Sequence, residues 1–145
     1  MTKIRIIVPA ALALAGCLSP MIYAAANAAG LKATLSGTQG SPKPGDTDGS
    51  GSAEVNFEDA ANRVCYNLTV SNIAPATMAH IHRGAAGASG PPVVTLEAPA
   101  KGMSKGCVDS SKAVIDEIKA NPAGFYVNVH NADFPGGAIR GQLAQ

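Results

Sequence analysis

The chain has three histidines, and two of them stand two residues apart in Met78-Ala79-His80-Ile81-His82-Arg83. The third, His130, closes the run Gly124-Phe125-Tyr126-Val127-Asn128-Val129-His130. In a β-strand, side chains two apart point to the same face. Met78, His80 and His82 then share one face, with Ala79 and Ile81 on the other. Tyr126, Asn128 and His130 likewise share a face, opposite the apolar Phe125, Val127 and Val129. If these two strands lie close together, all three imidazoles meet on one polar surface. Strand residues at i and i+2 are about 6.6 Å apart along the backbone. From there imidazoles can converge on one ion at metal–nitrogen distances of about 2.0–2.1 Å. Three neutral imidazoles suit copper or zinc better than calcium or magnesium, and the thioether of Met78 tilts the choice toward copper. Tyr126, Asn128 and Asp133 are candidates to orient the ring N–H groups from behind the ligands. The competing reading is three ordinary polar-face histidines, hydrogen-bonded across a strand pair. The metal site is favoured because every histidine in the chain occupies such a position.

Other chemistries fit less well. Asp46 and Asp48 lie in a turn-rich loop, residues 40–52, but the position a calcium loop gives to a bidentate Glu holds Phe57, and no helices flank it. That loop, with Lys43, is expected to lie away from the histidines. Residues 84–90 are glycine-rich, but no Gly-Lys-Ser/Thr and no helix follow, so they read as a flexible rim over the histidines rather than a phosphate loop. The serines lie in loops without a paired histidine and carboxylate, and no thiol is left for nucleophilic work. For Arg140, in the last strand, a strand-edge salt bridge is the more ordinary role.

The elements that must position these residues are short. Residues 31–37, 53–57, 64–70, 77–83, 93–96, 125–130 and 138–143 alternate or are β-branched in the manner of strands. The second and third of these form a hairpin around a turn at 59–62. Residues 97–106 read as loop and 107–109 as a brief extended piece. Ser110 or Ser111 can cap a helix over 112–120, with Val114, Ile115 and Ile118 on one face, and Asn121-Pro122-Ala123-Gly124 stops it. In the last strand Ile139 and Leu143 face the core, while Arg140 and Gln142 face away. About eight strands and one short helix predict an all-β fold, a Greek-key-like antiparallel β-sandwich, in one domain over residues 29–145.

The first 28 residues read as a signal peptide. Lys3 and Arg5 precede an apolar run from Ile4 to Leu18 that is too short to span a membrane comfortably, and Ala26-Asn27-Ala28 is a small-x-small cleavage site. Leu14-Ala15-Gly16-Cys17 also resembles a bacterial lipobox, which would put a lipid on Cys17. The expected location is periplasmic or secreted, with an outer-membrane lipoprotein as the alternative. The formal net charge of the full chain is +1, and without Lys3 and Arg5 nine basic residues face ten acidic ones. A balance of about −1 argues against nucleic acid or an anionic membrane as the main partner and leaves a protein partner open. Cys65 and Cys107 are then an even pair in an exported chain, for which a disulfide is the default and two buried free thiols the alternative. The bridge would close a loop of about 43 residues and stabilise by about 4 kcal/mol on the chain-entropy model.

Several of these stretches together resemble the CHRD domain family, named from chordin. They are Gly45-Asp46-Thr47-Asp48-Gly49-Ser50-Gly51, Ala79-His80-Ile81-His82-Arg83-Gly84, Gly90-Pro91-Pro92-Val93-Val94, Tyr126-Val127-Asn128-Val129-His130 and Gly137-Ala138-Ile139-Arg140-Gly141-Gln142-Leu143. The resemblance implies an exported module of the bacterial type and assigns no activity. A weaker resemblance, to copper/zinc superoxide dismutase, rests on the His-x-His strand, a later histidine, a disulfide and an arginine. It implies copper ligands at His80, His82 and His130 and an anion-steering Arg140. No bridging histidine and no zinc-ligand set exist here, so what transfers is a metal site without the second metal. Two function classes follow. One is an exported copper-binding protein, catalytic only in a superoxide dismutase-like way. The other is a non-catalytic extracellular or periplasmic interaction or matrix module with no metal.

Overall fold

The structure, a computed structural model, describes residues 30–145. The signal peptide, its cleavage site and Cys17 lie outside the described residues. Alternation of apolar and polar residues builds the strands as expected. In β1 (Leu31–Ser36), Leu31, Ala33 and Leu35 are buried while Lys32 and Thr34 are exposed. The chain continues through β2 (Ser50–Glu58), β3 (Arg63–Ser71), β4 (Ala76–Arg83), β5 (Pro92–Leu96), β6 (Met103–Asp109), helix α1 (Lys112–Ala120), β7 (Phe125–Asn131) and β8 (Ile139–Gln142). All eight strands join one antiparallel sheet in the order β5-β4-β7-β8-β1-β2-β3-β6. The fold is all-β with one helix, as predicted.

The sheet curls until its two edges almost meet. Across the gap the Tyr66 hydroxyl accepts from the Glu97 amide at 2.9 Å, and Ser104 Oγ donates to the Glu97 carbonyl at 2.7 Å. Two sheet faces become one enclosed interior, and the exposed-edge problem is reduced to a short seam. Inside lie Leu35, Val55, Val64, Leu68, Ile81, Val127, Val129 and Ile139, all nearly inaccessible to solvent. Burying each such side chain contributes about 1.5–3 kcal/mol. Helix α1 is capped by Ser111, whose hydroxyl accepts from the Val114 amide at 3.2 Å, and it adds Ile115 and Ile118 to the core. Arg83 at the end of β4 grips Glu117 on this helix through two hydrogen bonds of 2.8 and 2.6 Å.

Two expectations are corrected. Residues 103–106, read as loop, belong to β6, a full edge strand paired with β3 from Arg63↔Asp109 to Thr69↔Met103. Its Lys105 and Gly106 carry little strand preference, so the pairing with β3 decides. The β2 strand is also longer than 53–57, because its first residues, Ser50 to Ser52, pair on both sides, with β1 and with β3. Cys65 and Cys107 are direct register partners in β3 and β6, and they form a disulfide with an S–S distance of 2.09 Å. Among the described residues no helix is long and apolar enough to cross a membrane.

Candidate metal centre

Strand β7 explains why the polar site is sheltered. All seven of its residues are buried. Phe125, Val127 and Val129 point into the core. Tyr126, Asn128 and His130 face the other way, under three loops: residues 37–49, 84–91 and 132–138. β4 pairs with β7 on one side, with Met78 opposite His130, His80 opposite Asn128 and His82 opposite Tyr126. β8 pairs on the other side, with Arg140 opposite Asn128 and Gln142 opposite Tyr126. The register therefore brings His80, His82 and His130 together on the outward face of neighbouring strands.

One ring nitrogen from each of the three histidines lies within 4.8 Å of the others. Ring centroids are 5.4 Å apart for His80 and His82, 5.3 Å for His80 and His130, and 5.9 Å for His82 and His130. His82 Nδ1 stands 2.8 Å from the Gly90 carbonyl, and His130 Nδ1 stands 2.9 Å from the Pro135 carbonyl. A carbonyl only accepts, so each neutral ring donates from Nδ1 and keeps its lone pair on Nε2. His80 Nδ1 lies 3.3 Å from His130 Nε2. His82 Nε2 is buried and has no hydrogen-bond partner; no other buried side-chain nitrogen or oxygen among the described residues lacks one. A buried acceptor without a donor is costly, and a cation held by the three nitrogens would satisfy it.

Electrostatics favour the ligand form of His80 and His82. Burial holds His80 below the ordinary imidazole pKa, and His130 and His82 beside it add to the effect. His82 is lowered chiefly by burial too, with the Gly90 hydrogen bond opposing and His130 and Arg140 assisting. Neutral imidazole is the metal ligand. Met78 is on the same face as His80 and His82 but is 46% exposed. A second grouping, Glu58 with Cys65 and Cys107, offers no thiolate because the cysteines are bridged.

Tyr126, Asn128 and Asp133, expected to orient the ring N–H groups, make no hydrogen bond to the histidine rings, which corrects that expectation. Backbone carbonyls hold the rings, and two of the three side chains hold the backbone. Tyr126 stacks on His82 with centroids 5.0 Å apart and planes within 11°. Its hydroxyl accepts from the Gly90 amide at 3.2 Å, beside the carbonyl that His82 uses. Asn128 donates to the Gly136 carbonyl at 3.2 Å, next to Pro135. Gly137 has φ +133°, and a Cβ there would collide with the Asn128 amide, so glycine lets this loop close down on β7. The loop is turned by Asn131, whose Oδ1 accepts from the Phe134 amide at 2.8 Å. Asp133 is exposed and makes no hydrogen bond to a histidine. The sequence reading missed Gly90 and Pro135 because they act through the backbone, which carries no side-chain signature.

The strand-edge salt bridge expected of Arg140 is corrected: it makes none among the described residues, and it is only 4% exposed. Its guanidinium carbon lies 3.4 Å from the centre of the Tyr126 ring, and Nη2 donates to the Ala85 carbonyl at 3.0 Å and to Gln142 Oε1 at 3.5 Å. Lys43 is not remote either. With Arg140, His82 and Asp133 it lines a cleft of about 440 Å³. The loop carrying it is latched over the site by Ser41 Oγ donating to the Gly87 carbonyl and Ser89 Oγ donating to the Ser41 carbonyl, at 2.6 and 2.7 Å.

No curated protein matches the chain. The family model of the CHRD domain matches residues 31–143. That match runs from the first residue of β1 to the residue after β8, so the strands, the histidine site and the loops that roof it all fall within it, and the chain belongs to the CHRD domain family.

Proposed function

We propose that this CHRD domain binds one transition-metal ion through His80, His82 and His130, with copper favoured over zinc, outside the cytoplasm. The observations that carry the reading are the convergence of one imidazole nitrogen from each histidine within 4.8 Å and a buried His82 Nε2 that has no hydrogen-bond partner among the described residues. The donor set fits such an ion. The Gly90 and Pro135 carbonyls fix which nitrogen is free on two rings, and burial keeps His80 and His82 neutral. All-nitrogen donors suit copper and zinc, and Met78 nearby on the same face favours copper. Bound copper would supply one-electron redox chemistry. The Cys65–Cys107 disulfide fits an oxidising compartment.

Titration of the purified, chelator-treated domain with Cu(II), Cu(I) and Zn(II) tests the proposal. One ion per chain is expected, bound more tightly as copper than as zinc, and the His80→Ala/His82→Ala/His130→Ala variant should lose it. If that variant binds as tightly as the parent, the metal reading fails and the domain is a scaffold for protein interactions.

The catalytic version has its own support in Arg140, a buried cation close enough to His82 to lower its pKa. It gives Arg140 the steering of an anion such as superoxide toward the site. Arg140→Ala should then leave metal stoichiometry intact and slow dismutation by the copper-loaded protein. Absence of dismutation by the parent removes this version and leaves metal binding untouched.

A further inference from the structure

Beside the histidines lies a cleft whose features metal binding does not use. Arg140 at its base is a buried cation with no carboxylate partner among the described residues. Its protein hydrogen bonds engage Nη2 alone. Nη1 and Nε have no acceptor among the described residues. A buried guanidinium is costly without a counter-charge, and a carboxylate supplies one while accepting charge-assisted hydrogen bonds from such donors. The cleft holds about 440 Å³, the scale of a small organic ligand and far more than a diatomic or triatomic anion needs. Its walls include Pro42, Pro44, Phe134 and Pro135, which offer apolar surface to a carbon skeleton. At the exposed rim Lys43 adds a second positive charge, and Asp133 is the only acidic residue in the lining. The two serine latches hold the roof loop in place without a ligand.

We propose that this cleft binds a small organic monocarboxylate, its carboxylate accepting from the unpaired donors of Arg140 and its apolar body against the proline-lined wall, with Lys43 strengthening the field at the mouth. An organic acid is favoured over phosphate because the net charge of the lining is a single positive and much of the wall is apolar. The site does not depend on an ion at the histidines.

The test uses the chelator-treated mature domain, so that its outcome concerns the cleft alone, while the metal titration of the same protein concerns the histidines. Benzoate is the probe, benzamide its neutral match in shape, and inorganic phosphate the bare anion. Amide NMR spectra of the parent should shift on adding benzoate at residues 41–44 and 134–137, with millimolar or tighter binding and little response to benzamide or phosphate. Arg140→Gln should weaken benzoate binding by about 10-fold or more, as expected for loss of the counter-charge and its charge-assisted hydrogen bonding. Lys43→Glu, at an exposed position that cannot disturb the core, should weaken it by several-fold. Arg140→Lys, which keeps the charge and loses the guanidinium donors, should fall between parent and Arg140→Gln. The proposal is overturned if the parent shows no shifts at these loops, if benzamide or phosphate binds as well as benzoate, or if Lys43→Glu and Arg140→Lys, both folded, bind benzoate like the parent.

Discussion

At the scale of single residues, His82 concentrates the argument. It stacks on Tyr126, donates to Gly90, and leaves a buried nitrogen with nothing to bind. Burial, foremost, keeps His80 and His82 below the usual imidazole pKa. In the unfolded chain these rings titrate near about 6.5. In the metal-free protein, then, the folded state binds fewer protons than the unfolded state between the lowered value and that one. Stability contributed by the neutral rings is complete above about pH 6.5 and is lost as pH falls toward the lowered folded values. Thermal unfolding of the metal-free domain between pH 5 and 8 should show Tm falling on the acid side, and His80→Gln/His82→Gln should flatten that fall. A parent Tm that is constant across this range would contradict the burial argument. For the same reason metal binding should persist to a lower pH than isolated imidazoles allow.

At the scale of elements, β6 carries the most structural consequence for its modest sequence. It is the last strand of the sheet, its side chains are mostly exposed, and its outer edge is the seam that Ser104 and Tyr66 help to close on Glu97. The disulfide fastens it to β3 at the register pair Cys65↔Cys107. Cys65→Ser should lower unfolding free energy by about 2–4 kcal/mol. Urea denaturation of the oxidised parent and the variant measures the difference, and hydrogen exchange in β6 should quicken most. If peptide mapping of exported protein under non-reducing conditions finds both thiols free, the bridge plays no such part. Around the site it is β7 that matters: an apolar face rooted in the core and a polar face sealed by loops hold His130 in place from both sides.

At the scale of the molecule, the near-closed sheet leaves its chemistry on one outward face, between β4, β7 and β8, with loops from distant parts of the chain as its cover. Such a module can be delivered across a membrane and work wherever its histidines or its cleft meet a ligand. The expected signal peptide would decide where that is. Simple cleavage predicts a mature chain starting at Ala29, whereas the lipobox-like Leu14-Ala15-Gly16-Cys17 predicts one starting at a diacylated Cys17. Intact mass of protein recovered separately from membranes and from the soluble exported fraction distinguishes them, and a lipid-sized increment on a chain starting at Cys17 would overturn the prediction of Ala29.

The sequence by itself determined the periodic elements. Leu31, Ala33 and Leu35 alternate with Lys32 and Thr34, Ser111 stands ahead of Ile115 and Ile118, and His80, His82 and His130 each lie opposite an apolar strand face. These are local facts, because the side-chain period of a strand or helix is set by its own backbone. It could name the histidines as a group but could not pair their strands, since the adjacency of β4 and β7 depends on which strands the whole sheet places side by side. Only the tertiary structure made residues 103–106 a strand, because an edge strand with Lys105 and Gly106 owes its conformation to β3 rather than to its own preferences. Only the tertiary structure set the Gly90 and Pro135 carbonyls behind the imidazoles, buried Arg140 against Tyr126, and folded Lys43 over the cleft. Those contacts join residues distant in the sequence or act through backbone atoms common to every residue, and neither leaves a mark in the order of side chains.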